Sequence, residues 1–215
     1  MKRTIISKVD LPSPQPSLEL ISSALDSLRH EPIDTINWPA FPYKPELSFS
    51  LGYTEDELLL KFRVREKEIL AERTQSNESV CTDCCVELFF SPRPGLYYNL
   101  ECNCIGTMLV GRGSCRADSR VIDPESIARI RRRSSLGSEP FAVKVGDFEW
   151  NLVEAIPLSL LELPSGSELS GRVFRANLFK CAENTPTPHF VTWSPIDTPE
   201  PDYHQPDFFG ELEFE

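Results

Sequence analysis

From Leu47 onward the chain switches to a period of two. Leu47, Phe49 and Leu51 alternate with serines. After Thr54-Glu55-Asp56-Glu57, the apolar set Leu58, Leu60, Phe62 and Val64 alternates with Lys61, Arg63 and Arg65. Alternation of this kind turns one face of each strand to a core and the other to solvent, and the short polar turn joins the two as an antiparallel pair. A third strand is expected over Cys85 to Phe90, ended by a turn at Ser91-Pro92-Arg93-Pro94-Gly95, and Tyr97 to Cys104 returns as its neighbour. In the returning strand Leu100, Cys102 and Cys104 share one face, while Tyr97, Asn99, Glu101 and Asn103 share the other. Further strands are expected near residues 141–145, 149–156, 172–181, 189–194 and 210–214.

Two stretches break the alternation with helical spacing. Ser17 to His30 places Leu18, Ile21, Leu25 and Leu28 on one side of a short amphipathic helix. Asp123-Pro124-Glu125 supplies a cap, a first-turn proline and an early acid, which predicts a helix over 124–133. The basic run Arg129-Ile130-Arg131-Arg132-Arg133 would then be the solvated end of that helix. Residues 1–46 read as a lead-in packed on a domain that occupies 47–215. Within the lead-in Pro39, Pro42 and Pro45 force an extended path past Trp38, Phe41 and Tyr43. No repeat and no linker interrupts the chain. The expected fold is all-β: one antiparallel β-sandwich of immunoglobulin-like type with one or two short peripheral helices.

Composition narrows the function. A length of 215 residues with 13 phenylalanines supports a packed core without covalent staples. A net charge of −11 opposes a phosphate backbone, so a nucleic-acid partner is not expected. No apolar run reaches the eighteen or so residues that cross a bilayer, and no membrane partner is expected either. Met1 to Asp10 carries basic residues with no apolar stretch behind them, which does not read as a secretory signal. Together with an odd count of 7 cysteines, this predicts reduced thiols and a cytoplasmic protein. Cys81-x-x-Cys84 followed by Cys102-x-Cys104 has four thiols that could surround a zinc ion. Both pairs fall in strand-like stretches rather than tight knuckles, so no metal or other cofactor is expected from them.

Read together, the segments Asp83 to Phe90 and Tyr97 to Gly106 resemble a group of bacterial domains related to the family 9 carbohydrate-binding modules. The likeness continues through Ile33 to Pro39, Ser134 to Gly137, Trp150, Ile156-Pro157, Ala176 to Cys181, and Pro188 to Phe214. It implies a sandwich of the wider DOMON-like group that binds a saccharide and does no chemistry of its own. In that family two aromatic rings sandwich the sugar, a strand carboxylate holds its hydroxyls, and structural calcium ions occur. The strand carboxylate matches Glu87. The position of the first ring is held by Cys81, and the second ring matches Tyr203, with His204 beside it. Asn99 and Glu101 lie in the strand that supplies further polar ligands. No calcium ligand can be placed.

Each candidate has a plainer reading. Glu87 could pair with Arg112 or Arg116. Tyr203 and His204 could simply pack a loop stiffened by Pro195, Pro199, Pro201 and Pro206. Trp150 and Trp193 alternate with apolar residues and read as core, and Trp38 reads as a cap on one end of the sandwich. Glu87 and Glu101 would face each other on paired strands, and a glycoside hydrolase needs two such carboxyls. A Ser-His-Asp or Cys-His nucleophile has no local signature among His30, His189 and His204. Haem would need Met108 with His189 or His204. The remaining alternative is a scaffold whose sugar site has been lost at Cys81.

Overall fold

The structure is a computed structural model and describes residues 1–13 and 15–215. Among these, thirteen strands form the frame. They are β1 (Arg3–Lys8), β2 (Glu31–Pro32), β3 (Glu46–Tyr53), β4 (Glu57–Ala71), β5 (Cys85–Arg93), β6 (Leu96–Asn103), β7 (Met108–Gly113), β8 (Arg120–Val121), β9 (Arg131–Ser134), β10 (Phe141–Pro157), β11 (Val173–Ala182), β12 (His189–Thr192) and β13 (Gly210–Phe214). Two helices, α1 (Leu18–Asp26) and α2 (Pro124–Ala128), lie at the periphery. The first sheet runs β8-β7-β6-β5-β11-β13-β1, with β12 also on β11. The second runs β1-β3-β4-β10-β9, with β2 on β3. Phe49, Phe62, Leu88, Leu100, Leu152 and Trp193 belong to the large core between them. No described helix is long and apolar enough to cross a membrane.

Strand β1 belongs to both sheets. Arg3 to Ile6 pair in parallel with Glu211 to Phe214, and then Ser7 and Lys8 pair in parallel with Gly52 and Tyr53. The sandwich is therefore antiparallel except at this seam. The two neighbours of β1 both run in its own direction, and it closes one side of the sandwich by crossing from one to the other. The lead-in is thus built into the frame. Ser17 caps α1, its hydroxyl accepting from the Leu20 N–H, and Ile21 and Leu25 are buried.

Three expectations near the turns need correction. The helix predicted over 124–133 stops at Ala128, and Arg131 to Ser134 form β9, paired with Leu152 to Ala155 of β10. The basic run is not a solvated helix end. Each guanidinium instead finds its own acceptor: Arg129 the Ser159 hydroxyl at 2.9 Å, Arg131 the Glu57 carboxylate at 2.7 Å, Arg132 the Gly106 carbonyl at 2.6 Å, and Arg133 the Glu19 carboxylate. The strands expected at 141–145 and 149–156 are one strand, β10, with a register shift between Val145 and Phe148. The turn after Phe90 is shorter than expected, because Arg93 pairs with Leu96 across Pro94 and Gly95. Gly95 has φ of 77°, a conformation that favours glycine.

Candidate functional site

Alternation on β5, β6 and β11 gives their shared sheet two different faces. Val86, Leu88, Leu100, Cys102 and Leu178 point into the inter-sheet core. Cys85, Phe89, Tyr97, Phe179 and Cys181 point outward and would be wet if nothing covered them. They form a second apolar cluster with Trp38, Ile196, Tyr203 and Phe209. The cover is the proline-rich segment after β12, and its attachments are specific. The Trp38 indole donates to the Thr198 carbonyl at 2.9 Å, and the Ile196 N–H donates to the Asn37 side chain at 2.9 Å. The Tyr203 ring stacks on Phe179, with centroids 4.0 Å apart and planes within 6°. Its hydroxyl donates to the Lys180 carbonyl at 2.9 Å.

Between this cover and the sheet lies a cavity of about 70 Å³ lined by Cys81, Glu87, Phe89, Glu101, Arg116, Cys181, Glu183, Phe190, Pro201, Tyr203 and His204. Glu87 and Glu101 are directly opposite one another on β5 and β6, and Phe179 flanks Glu87 on β11. Glu87 is 3% exposed and Glu101 8%. Burial pushes the Glu87 carboxyl well above its ordinary range, with the Cys181 thiol and Glu101 adding to the effect. The Cys181 Sγ donates to its Oε1 at 3.2 Å. Burial likewise raises Glu101 to about 7, against the opposing pull of the Asn99 amide and Arg116. His204 is lowered to about 4 by burial and by Arg116. Its Nδ1 lies 2.7 Å from the Tyr97 hydroxyl. Assigning Tyr97 as donor leaves the His204 Nε2–H as a free donor.

Four of the five residues singled out from the sequence meet here: Glu87, Glu101, Tyr203 and His204. Asn99 does not. Its side chain lies over Gly111, where a Cβ would collide with the amide, and its Nδ2 donates to Glu101 Oε1 at 2.9 Å. It positions Glu101 from behind. Tyr203 lines the cavity with its ring, but its hydroxyl is committed to the fold. The suggested arginine partners of Glu87 are engaged elsewhere. Arg112 reaches Glu162 at 2.7 Å, and Arg116 reaches Asp202 at 2.7 Å. Asp202 also accepts from Gln205 at 2.7 Å and from the His204 N–H at 3.1 Å, so it ties the rim loop to the cover. Trp150 and Trp193 are buried as read from the sequence, whereas Trp38 is buried in the outer-face cluster rather than capping an end of the sandwich.

Glu183 and Phe190 were missed, and Arg116 was named only as a possible ion-pair partner of Glu87. Glu183 was within reach, since extending the alternation of Phe179 and Cys181 by two residues puts it on the same face. Arg116 lies in the irregular loop between β7 and β8, and no periodicity places a loop side chain. Two larger hollows, of about 670 and 680 Å³, lie elsewhere on the surface. Each holds an ion pair, Glu57 with Arg131 in one and Arg65 with Glu149 in the other.

The one converging cluster of potential metal ligands does not suit the calcium that the resemblance implies. Among the described residues one group of three potential ligands converges, Cys85, Glu87 and Cys181, and calcium takes oxygen cages of six to eight ligands. The four-thiol zinc reading fails too. Cys84, Cys102 and Cys104 lie in the inter-sheet core, on the opposite face of the sheet from Cys85 and Cys181, with Cys81 packed beside the latter two.

Comparison with known structures matches this geometry over the whole chain. A Bacteroides uniformis protein proposed to bind carbohydrate is 38% identical, with a TM-score of 0.94 covering 100% of this chain and 99% of that one. A family 9 carbohydrate-binding module from Caldicellulosiruptor kristjanssonii, solved with glucose, shares 11% identity at a TM-score of 0.61, covering 100% of this chain and 96% of the module. The module solved with cellotriose shares 13% at 0.62, covering 100% and 94%. At these identities the two modules speak to the fold alone. Comparison with curated proteins gives no match. The model of carbohydrate-binding family 9 matches residues 19–214, and the chain belongs to that family.

Proposed function

We propose that the chain binds the terminal unit of a saccharide, without cleaving it, at the mouth of the cavity over β5, β6 and β11. The observation that carries this reading is the pairing of Glu87 with Glu101 beneath a braced loop, with no buried cation between them. A sugar hydroxyl both donates and accepts, and a carboxyl near half-protonation can do the same. Arg116, Glu183 and the His204 Nε2–H add polar groups around the mouth, and Phe190 and Pro201 offer apolar surface for a sugar face. The glucose and cellotriose complexes of the fold relatives make a glucose-type end unit the first ligand class to test.

A volume of about 70 Å³ is far below the ~300 Å³ at which small-molecule pockets usually begin. The polar edge of the terminal unit therefore enters while the ring rests outside, and with Cys81 in place of a second aromatic wall the contact is shallow. Affinity near millimolar follows, which is about 4 kcal/mol. The same crowding argues against hydrolysis, because a scissile bond has no room between the two carboxyls. Calorimetry with glucose, cellotriose and a glycan panel tests the reading on wild type, Glu87→Gln and Arg116→Ala. Binding lost in both variants supports it. Binding of no saccharide at high concentration leaves the scaffold reading, and release of reducing sugar that depends on Glu87 and Glu101 would make the chain a hydrolase.

A further inference from the structure

The outward face of β5 and β11 carries a second kind of chemistry directly under the cavity. Cys85 and Glu87 lie two residues apart on β5 and so share its face, and Cys181 of β11 is the register partner of Cys85. The two sulfurs and a Glu87 oxygen all lie within 4.8 Å of one another, and all three residues are buried. Cys181 donates to Glu87 Oε1 at 3.2 Å and also approaches the Cys81 carbonyl at 3.7 Å. This is the one place among the described residues where three such donors converge.

We propose that Cys85, Cys181 and Glu87 bind a thiophilic divalent ion of the zinc class, with its fourth position open to the cavity. Two thiolates and one carboxylate match the soft, four-coordinate preference of zinc, whereas calcium and magnesium take oxygen alone. Zinc–sulfur bonds of about 2.3 Å in a tetrahedron place two sulfurs about 3.8 Å apart, so closure from separations within 4.8 Å needs shifts of no more than about 1 Å. Three protein ligands with an open fourth position is also the arrangement of zinc sites that meet a small ligand. The space suits this occupant. About 70 Å³ admits one or two waters at about 30 Å³ each and no sugar ring.

The charges close as well. Binding releases one proton from each thiol, and one from Glu87 where it is protonated, to solvent. The three ligands then carry three negative charges against the ion's two positive, and the Arg116 guanidinium, whose field reaches Glu87 and Glu101, offsets the remainder. The site is independent of the saccharide reading, since its occupancy is measured without any sugar. Should both hold, the open position faces the place where a sugar hydroxyl would enter.

The test loads reduced wild-type protein with zinc and, separately, with cobalt, then removes free metal by desalting. One ion per chain, with thiolate-to-cobalt charge-transfer bands and the visible bands of a tetrahedral ion, is the expected result. Cys85→Ser, Cys181→Ser and Glu87→Gln should each lower retention at least about tenfold. Cys115→Ser, which removes the one exposed thiol, should leave it unchanged. The cobalt spectrum of wild type decides the matter if a variant fails to fold. Substoichiometric metal, octahedral cobalt without charge-transfer bands, or loss of metal with Cys115→Ser in place of the pocket variants would overturn the proposal. Saccharide calorimetry on metal-free protein keeps its failure distinct from failure of the sugar site.

Discussion

The two faces of the β5–β6–β11 sheet each bury carboxyl chemistry, and they treat it in opposite ways. On the inner face the Lys180 ammonium lies 2.9 Å from Glu66, 2.9 Å from His189 Nε2 and 2.9 Å from the Cys181 carbonyl, so all its donors are used. Glu66 also accepts from the Trp150 indole at 2.7 Å, and His189 is held through its other nitrogen by the Thr187 carbonyl at 3.0 Å. Burial and the neighbouring ammonium lower His189 to about 3, so it stays neutral and accepts from Lys180. On the outer face Glu87 and Glu101 have each other, a thiol and an amide, but no buried cation. A closed network binds the two sheets. An open one is what a ligand site requires, because its polar groups still have partners to gain.

The sharpest way to break this contrast is to remove the inner cation. Lys180→Met leaves Glu66 buried without its counter-charge, and stability should fall by about 3–5 kcal/mol. Adding Glu66→Gln to that variant should return most of the loss. Denaturant melts of the single and double variants check both, and a single variant costing under about 1 kcal/mol would mean that the inner network is not the closed structural device its geometry implies. The outer face should respond in reverse. Glu87→Gln removes a carboxyl that burial already favours as neutral, so stability should stay within about 1 kcal/mol of wild type. Saccharide affinity should drop at least about tenfold, or about 1.4 kcal/mol, by calorimetry.

How far the sequence reveals this contrast depends on periodicity. Alternation along 97–104 puts Glu101 and Tyr97 on one face and Cys102 on the other, as the structure has them. It also puts Lys180 on the inner face between Phe179 and Cys181, yet nothing local says that Glu66, more than a hundred residues earlier, will meet it. β1 was not legible as a sheet-bridging strand, because its pairing depends on β13 at the far end of the chain. β7 was hidden by glycines at 111 and 113, which weaken strand propensity but leave room for Asn99 at the first and for Asp118 and Ser119 at the second. The loop that covers the pocket was visible in its prolines. Its anchors, Trp38 to Thr198 and Arg116 to Asp202, were not, since they join segments with no shared pattern.

A pH titration sharpens the comparison with a smaller effect. Glu101 and Glu154 are each raised by burial to about 7, from an ordinary value of 4.5. Between these values the folded state holds more protons than the unfolded chain, so stability falls as pH rises through about 7 and levels off above it. His189 and His204 are depressed, and their opposing contribution is fully present only well above pH 6.5 and is lost as pH drops through 6.5 toward their folded values. From about pH 6.5 to about pH 8 the pair of Glu101 and Glu154 lowers stability by about 1.5 kcal/mol, Glu87 adds in the same direction, and the two imidazoles, half protonated in the unfolded chain at pH 6.5, offset about 0.8 kcal/mol. Glu101→Gln should remove about 0.8 kcal/mol of the carboxyl-driven fall in thermal melts. An unchanged slope would mean that the pocket carboxyl is already ionised in the folded protein.

The smallest effect separates fold from ligand within the pocket itself. The Tyr203 ring stacks on Phe179 and faces the cavity, while its hydroxyl serves the Lys180 carbonyl on the other side of the same strand. Tyr203→Phe keeps the ring and removes one neutral hydrogen bond, so stability should drop by about 1 kcal/mol while saccharide affinity stays within about twofold. Tyr203→Ala should lose both, because the ring that props the cover over Phe179 goes with the hydroxyl. If Tyr203→Phe instead weakened the saccharide and left stability alone, the hydroxyl would belong to the ligand. The outer face would then hold a polar group that the free protein parks on its own backbone until a sugar arrives.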